Sequence, residues 1–106
     1  SGAEQVKTAD EFLTEAAQTF KDRNAVYGNN YLNVGGAMAA LFPEGVILKT
    51  ADDFNRFHIF MLGVVKQSRY CNNWYKTGHA DSSHDNTVYS AMLESIDEEI
   101  RGRNKG

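Results

Sequence analysis

The chain lacks most of what would place it in a specialised class. Its single cysteine, Cys71, has no second thiol to pair with, which excludes a disulfide framework and fits a reducing cytosol. One proline in 106 residues leaves nearly every segment free to be helical. No apolar run approaches the roughly 18 residues of a membrane span, and nothing reads as a secretory leader. Positive charge is scarce as well. Eleven Lys and Arg against 14 Asp and Glu give a formal charge of −3, which argues against general nucleic-acid binding but leaves room for a local cationic pocket. Alternating strand patterns of useful length are missing. What is present, 42% hydrophobic and 24% charged residues, suits one helical domain in the cytoplasm.

Helical spacing fills most of the length. Residues 1–7 are expected to be a disordered or tag-derived start, residues 8–101 a single helical domain and residues 102–106 a frayed end. Thr8 and Glu11 form a capping box, with the Thr8 hydroxyl accepting an early helical N–H, before an apolar stripe of Phe12, Leu13, Ala16, Ala17 and Phe20. That predicts a helix from Ala9 to about Arg23. A turn is expected around Tyr27-Gly28-Asn29-Asn30. Tyr31, Val34, Met38, Leu41 and Phe42 continue the period in a second helix, which Gly35 and Gly36 weaken by about 1 kcal/mol each.

Thr50-Ala51-Asp52-Asp53 opens the central helix. Its apolar residues Phe54, Phe57, Phe60, Met61, Leu62, Val64 and Val65 span so wide an arc that packing on at least two sides is expected. A loop is expected over 72–80, and Ser82-Ser83-His84-Asp85 reads as the cap of a last helix carrying Val88, Tyr89, Met92, Leu93, Ile96 and Ile100. The fold class is all-α, a compact bundle of about four helices with a long central one.

Chemistry is sought where polar residues fall on apolar faces. With Phe54 at the origin, His58 lies at about 40°, Arg69 at about 60° and Lys66 at about 120°, inside or beside the central helix's apolar arc. Asp85 projects from the last helix toward the core side. A guanidinium and a carboxylate turned inward should meet each other or a ligand, since an unpaired buried charge is too costly. One reading is a pocket of Lys66, Arg69, His79, Asp81 and Asp85, with free N–H groups at the last helix's N-terminus favouring an anion. The other is a structural Arg69–Asp85 pair with Lys66 in solvent. Trp74 or Tyr27 is placed to cover a base. The acidic run Glu94 to Glu99 contains an E-x-x-D spacing, yet Glu94, Asp97 and Glu98 lie off the apolar stripe and are expected to be solvated.

A spaced set of residues carries a resemblance: Arg23, Tyr27-Gly28, Asn33, Lys66-x-x-Arg69, His79-x-Asp81-Ser82-x-x-Asp85 and Tyr89. It resembles small phage-encoded all-helical proteins of unassigned function over about residues 20–95. More distantly it resembles nucleotide-modification-associated and all-helical nucleotide pyrophosphatase domains, whose carboxylate quartet it does not reproduce. The resemblance implies a role near nucleotide metabolism or host takeover.

Together these readings give a small nucleotide-binding protein of phage type. Tyr27, Lys66, Arg69 and Trp74 are its ligand-binding residues. If the chain is a phosphohydrolase, Asp81 and Asp85 hold Mg2+ and His79 is the general acid or base. The alternative is a non-enzymatic protein that binds a host protein through an acidic, aromatic-edged surface. A homo-oligomer is expected in either case, because Ile59, Tyr70, Trp74 and Tyr75 leave apolar surface that four short helices do not cover. No membrane partner is expected.

Overall fold

The computed structural model describes residues 5–28 and 30–105, apart from the side chains of Tyr27 and Asn30. The expectations for residues 1–4 and 106 lie outside that range. Four α-helices follow one another: α1 (Ala9–Tyr27), α2 (Asn30–Leu41), α3 (Ala51–Asn72) and α4 (Ala80–Lys105), with a 3-10 turn at Trp74–Lys76 between the last two. No strand occurs among the described residues. The all-α class and the long third helix are as the periodicity predicts. α4 is longer still and continues through Gly102 to Lys105, so residues 102–105 are helical where fraying is expected.

Helix starts are decided by which side chain reaches the first free N–H groups. At α3 the capping box is complete. Thr50 Oγ1 accepts from the Asp53 N–H at 3.1 Å, and Asp53 Oδ2 accepts from the Thr50 N–H at 3.1 Å and the Lys49 N–H at 3.0 Å. The Lys49 and Thr50 bonds hold the Asp53 carboxyl below its ordinary range. At α1 the box does not form, because the Thr8 hydroxyl instead donates to the carboxylates of Asp10 and Glu11. α1 also runs four residues past Arg23, ending at Gly28, whose φ of 63° is the left-handed value that favours glycine.

α3 and α4 lie antiparallel and form the main packed unit. Three ion pairs step along them in opposite directions: Lys66–Asp85 at 3.0 Å, Arg56–Asp97 at 3.0 Å and Asp52–Arg103 at 2.9 Å. Two of them are half-exposed and the third has a mostly covered Lys66 against a half-exposed Asp85. Exposed pairs are worth at most about 1 kcal/mol each, and together the three fix register more than stability. Between them Ile59, Gly63 and Val64 are buried. Ile59 was expected on the outside; the helix face carrying it turns out to be the one that meets α4. Phe42 closes α2 onto α3, with its ring 6.1 Å from that of Phe57 and 5.7 Å from that of Phe60.

The shape is elongated instead of compact. The radius of gyration is 19.1 Å, against about 13 Å for a compact domain of this length. The accessible surface is 8396 Å², where a compact monomer of this mass exposes about 5,900 Å². α1 touches the rest of the chain near its C-terminal end, where Phe20 meets Tyr31 edge-on at 5.9 Å.

Candidate functional site

Lys66, expected in solvent or in an anion pocket, has a side chain only 16% exposed, and its ammonium holds Asp85. Asp85 therefore pairs with Lys66 and not with Arg69. The reason is the face of α3 that meets α4. α4 packs on the side that carries Ile59 and Gly63, and Lys66 stands at its edge, whereas Arg69 turns toward a cavity between α1, α2 and α3. A helical projection of one helix gives the face of each side chain and not which neighbour covers it.

His79 has a structural task. α4 begins at Ala80, earlier than the Ser82–Asp85 cap expected from the sequence, and His79 precedes it. Its Nδ1 accepts from the Ser82 N–H at 3.3 Å and lies 2.7 Å from Ser82 Oγ, while its carbonyl accepts from the Ser83 N–H at 3.0 Å. Two N–H groups that the sequence reading offers to an anion are thus already satisfied. Ser82 is the most deeply buried residue described, at 1% exposure. Replacing His79 with alanine should cost about 1 kcal/mol of stability, and His79→Asn, a strong capping residue, should restore most of it. Urea unfolding of the two variants checks this; equal losses would remove the capping role.

Asp81 is exposed on the first turn of α4. Among the described residues no group of three or more His, Cys, Asp or Glu side chains is placed to hold a metal ion. Asp81 and the Lys66-paired Asp85 lie four residues apart at the start of α4. Trp74 is exposed and touches Tyr70 edge-on at 6.0 Å. The Tyr27 side chain lies outside the described residues. A cavity of about 330 Å³ beside Lys66 is lined by Gln67, Tyr70, Cys71, Ser82, Ser83 and Asn86, so His79, Asp81 and Asp85 do not line it.

Arg69 faces a different cavity. This one, of about 370 Å³, lies between α1, α2 and α3, and is walled by Phe20, Tyr31, Val34, Val65 and Gly28. Arg23 and Asn24 of α1 line it with Arg69, and no carboxylate does among the described residues. Asn24 also has a buried side-chain oxygen, Oδ1, with no hydrogen-bond donor among the described residues. An acceptor left so is costly unless something else supplies the donor. Sequence reasoning met Arg23 only in the resemblance and missed Asn24. A signal was there: with Phe12 at the origin, Arg23 lies at about 20° and Asn24 at about 120°, within or beside the apolar stripe of α1.

The acidic run is less free than its sequence suggests. Asp97 is half-buried against Arg56, and Glu98 meets Arg101 at 2.9 Å, while Glu94 and Glu99 are exposed. Among the described residues no helix is long and apolar enough to cross a membrane.

Fold and cavity define an all-α protein built on one antiparallel helix pair, with two shorter helices attached and a cationic, aromatic-walled cleft at their junction. No family model, curated protein or solved structure matches the chain at a significant level.

Proposed function

We propose that the chain binds a small phosphate-bearing ligand of the nucleotide class in the cleft between α1, α2 and α3, acting as a homo-oligomer. The observation that carries this reading is the convergence of Arg23 and Arg69, from two different helices, on one aromatic-walled cavity with no carboxylate among its described lining residues. Guanidinium forks match phosphate oxygens bidentately, and an apolar wall with a few polar groups is the usual makeup of a small-molecule site. Phe20 and Tyr31 offer faces for a base, and Asn24 Oδ1 offers an acceptor for a ring or exocyclic N–H. The more distant resemblance, to nucleotide-modification-associated domains, points the same way. The reading is of binding; hydrolysis is a separate step that it does not require.

The test is calorimetric titration with nucleoside mono-, di- and triphosphates and with inorganic phosphate, each with and without magnesium. At least one nucleotide should bind, and Arg23→Ala should weaken it tenfold or more, since a hydrogen bond to a charged group is worth about 1.5–3 kcal/mol. Arg23 is exposed on α1, so its loss should leave the fold intact. Absence of binding by every member of the panel would reject the proposal.

A further inference from the structure

The uncovered apolar surface of α1 and α2 is more than a monomer of this size ordinarily leaves to water. Phe12 is 57%, Leu13 72% and Leu32 62% exposed, and Leu41 is more than half exposed. α1 is 19 residues long, and its N-terminal half leaves Phe12 and Leu13 exposed. A lone helix of that length is marginal in water, and most helical stability in proteins comes from packing an apolar face. Something must cover this one.

We infer that a second copy of this chain covers it, through a two-fold interface formed by the apolar faces of α1 and α2, and that folding and dimerisation are coupled. Area is the first argument. The whole chain exposes 8396 Å², about 2,500 Å² more than a compact monomer of its mass. Covering only about half of that excess on each copy would bury about 2,500 Å² in a pair, within the range of obligate homodimers. A two-fold interface uses the same patch twice, so both copies are completed at once and no open chain of contacts is left. The charge order along α1 is the second argument. Its first turns carry Asp10, Glu11 and Glu15, and its later turns carry Lys21 and Arg23 beside Asp22. Lys7 already takes Glu15 at 2.7 Å. Antiparallel pairing with a second α1 would set Lys21 toward the remaining acidic turn, Asp10 and Glu11, of the other copy. A parallel pairing would oppose like charges.

The inference stands apart from the ligand reading, because its readouts are taken without ligand. Sedimentation equilibrium of the full chain should give about twice 11.8 kDa, and the thermal midpoint should rise with protein concentration. Leu13→Glu, remote from the cleft-lining residues, should convert the protein to single chains with reduced helicity, whereas Tyr75→Glu, at a residue 99% exposed on the 3-10 turn, should leave the mass unchanged. Should Leu13→Glu fail to fold, Ala16→Cys in a Cys71→Ser background gives an independent readout. Oxidation should link two copies through the middle of the α1 stripe, while Cys71→Ser alone stays unlinked. A one-chain mass across the concentration range would overturn the inference. So would a dimer that survives Leu13→Glu unchanged, or a failure of Ala16→Cys to cross-link.

Discussion

Replacing Gly63 with leucine is expected to lower stability by about 3 kcal/mol, at the upper end of what overpacking a close interface costs. Gly63 is buried where α3 meets α4, and a Cβ built there would lie 2.9 Å from Asn86 Oδ1. Alanine is the informative control. Its one extra carbon meets the far end of a flexible side chain, which can swing aside. Alanine also gains about 1 kcal/mol of helix propensity over glycine. Gly63→Ala should therefore be close to neutral, and Gly63→Ala with Asn86→Ala should lose the clash altogether. A leucine side chain has no such escape, because Ile59 and Val64 flank the site and α4 runs directly across it. The helices must separate, and with them the Lys66–Asp85 and Arg56–Asp97 pairs. Thermal unfolding followed by circular dichroism reads the difference. A Gly63→Leu midpoint within a degree or two of the parent would mean that α3 and α4 do not pack as described.

How the fold could be read from the sequence, and where it could not, follows from what periodicity measures. The stripes of α1 and α2, and the wide arc of α3, are properties of single helices, and all three helices form. The partner of each face is a property of pairs. The width of the α3 arc predicts packing on at least two sides but not which neighbour takes which side, and α4 packs where Ile59 and Gly63 lie. Phe54 at the start of α3 stays more than half exposed. Binding α4 along the polar edge of α3 brings Asp52, Arg56 and Lys66 into reach of Arg103, Asp97 and Asp85. That is why Asp97, which looks solvated on a projection of α4 alone, is half-buried and paired.

The candidate site was partly legible for the same reason. Arg69 was singled out because a guanidinium on an apolar arc needs an explanation, and it does line a cavity. Its companions could not be found from α3, since Arg23 and Asn24 sit on α1 and the turn at Gly28 brings the helices together. His79 was read as a chemical group because it is a histidine near two aspartates. Its Nδ1 instead does for α4 what a serine or aspartate oxygen does at other helix starts, a role that no spacing rule assigns to histidine.

The second large effect is expected at Gly78, and it tests whether the α3–α4 connection sets the register of everything after it. Gly78 has φ of 80°, and a Cβ there would fall 2.3 Å from the Tyr70 ring. Its N–H donates to the Asn73 carbonyl at 2.8 Å, and the Asn73 side chain donates to the Arg69 carbonyl at 2.8 Å, so the turn is tied to the end of α3. Two penalties meet in Gly78→Ala: about 1–2 kcal/mol for a non-glycine residue in the left-handed region, and the displacement of the Tyr70 ring, which Trp74 meets edge-on at 6.0 Å. A total loss of about 2 kcal/mol or more is expected. The two parts separate in a double-mutant cycle with Tyr70→Ala, which should relieve the steric part and leave the backbone part. Gly78→Asn in the Tyr70→Ala background should then come closest to the Tyr70→Ala parent, because asparagine tolerates positive φ. Additive losses in the cycle would show that ring and turn do not touch. Because His79 follows directly and caps α4, the same substitution should also loosen the first turn of that helix, seen as faster amide exchange at Ser82 and Ser83 than at residues near Ile96.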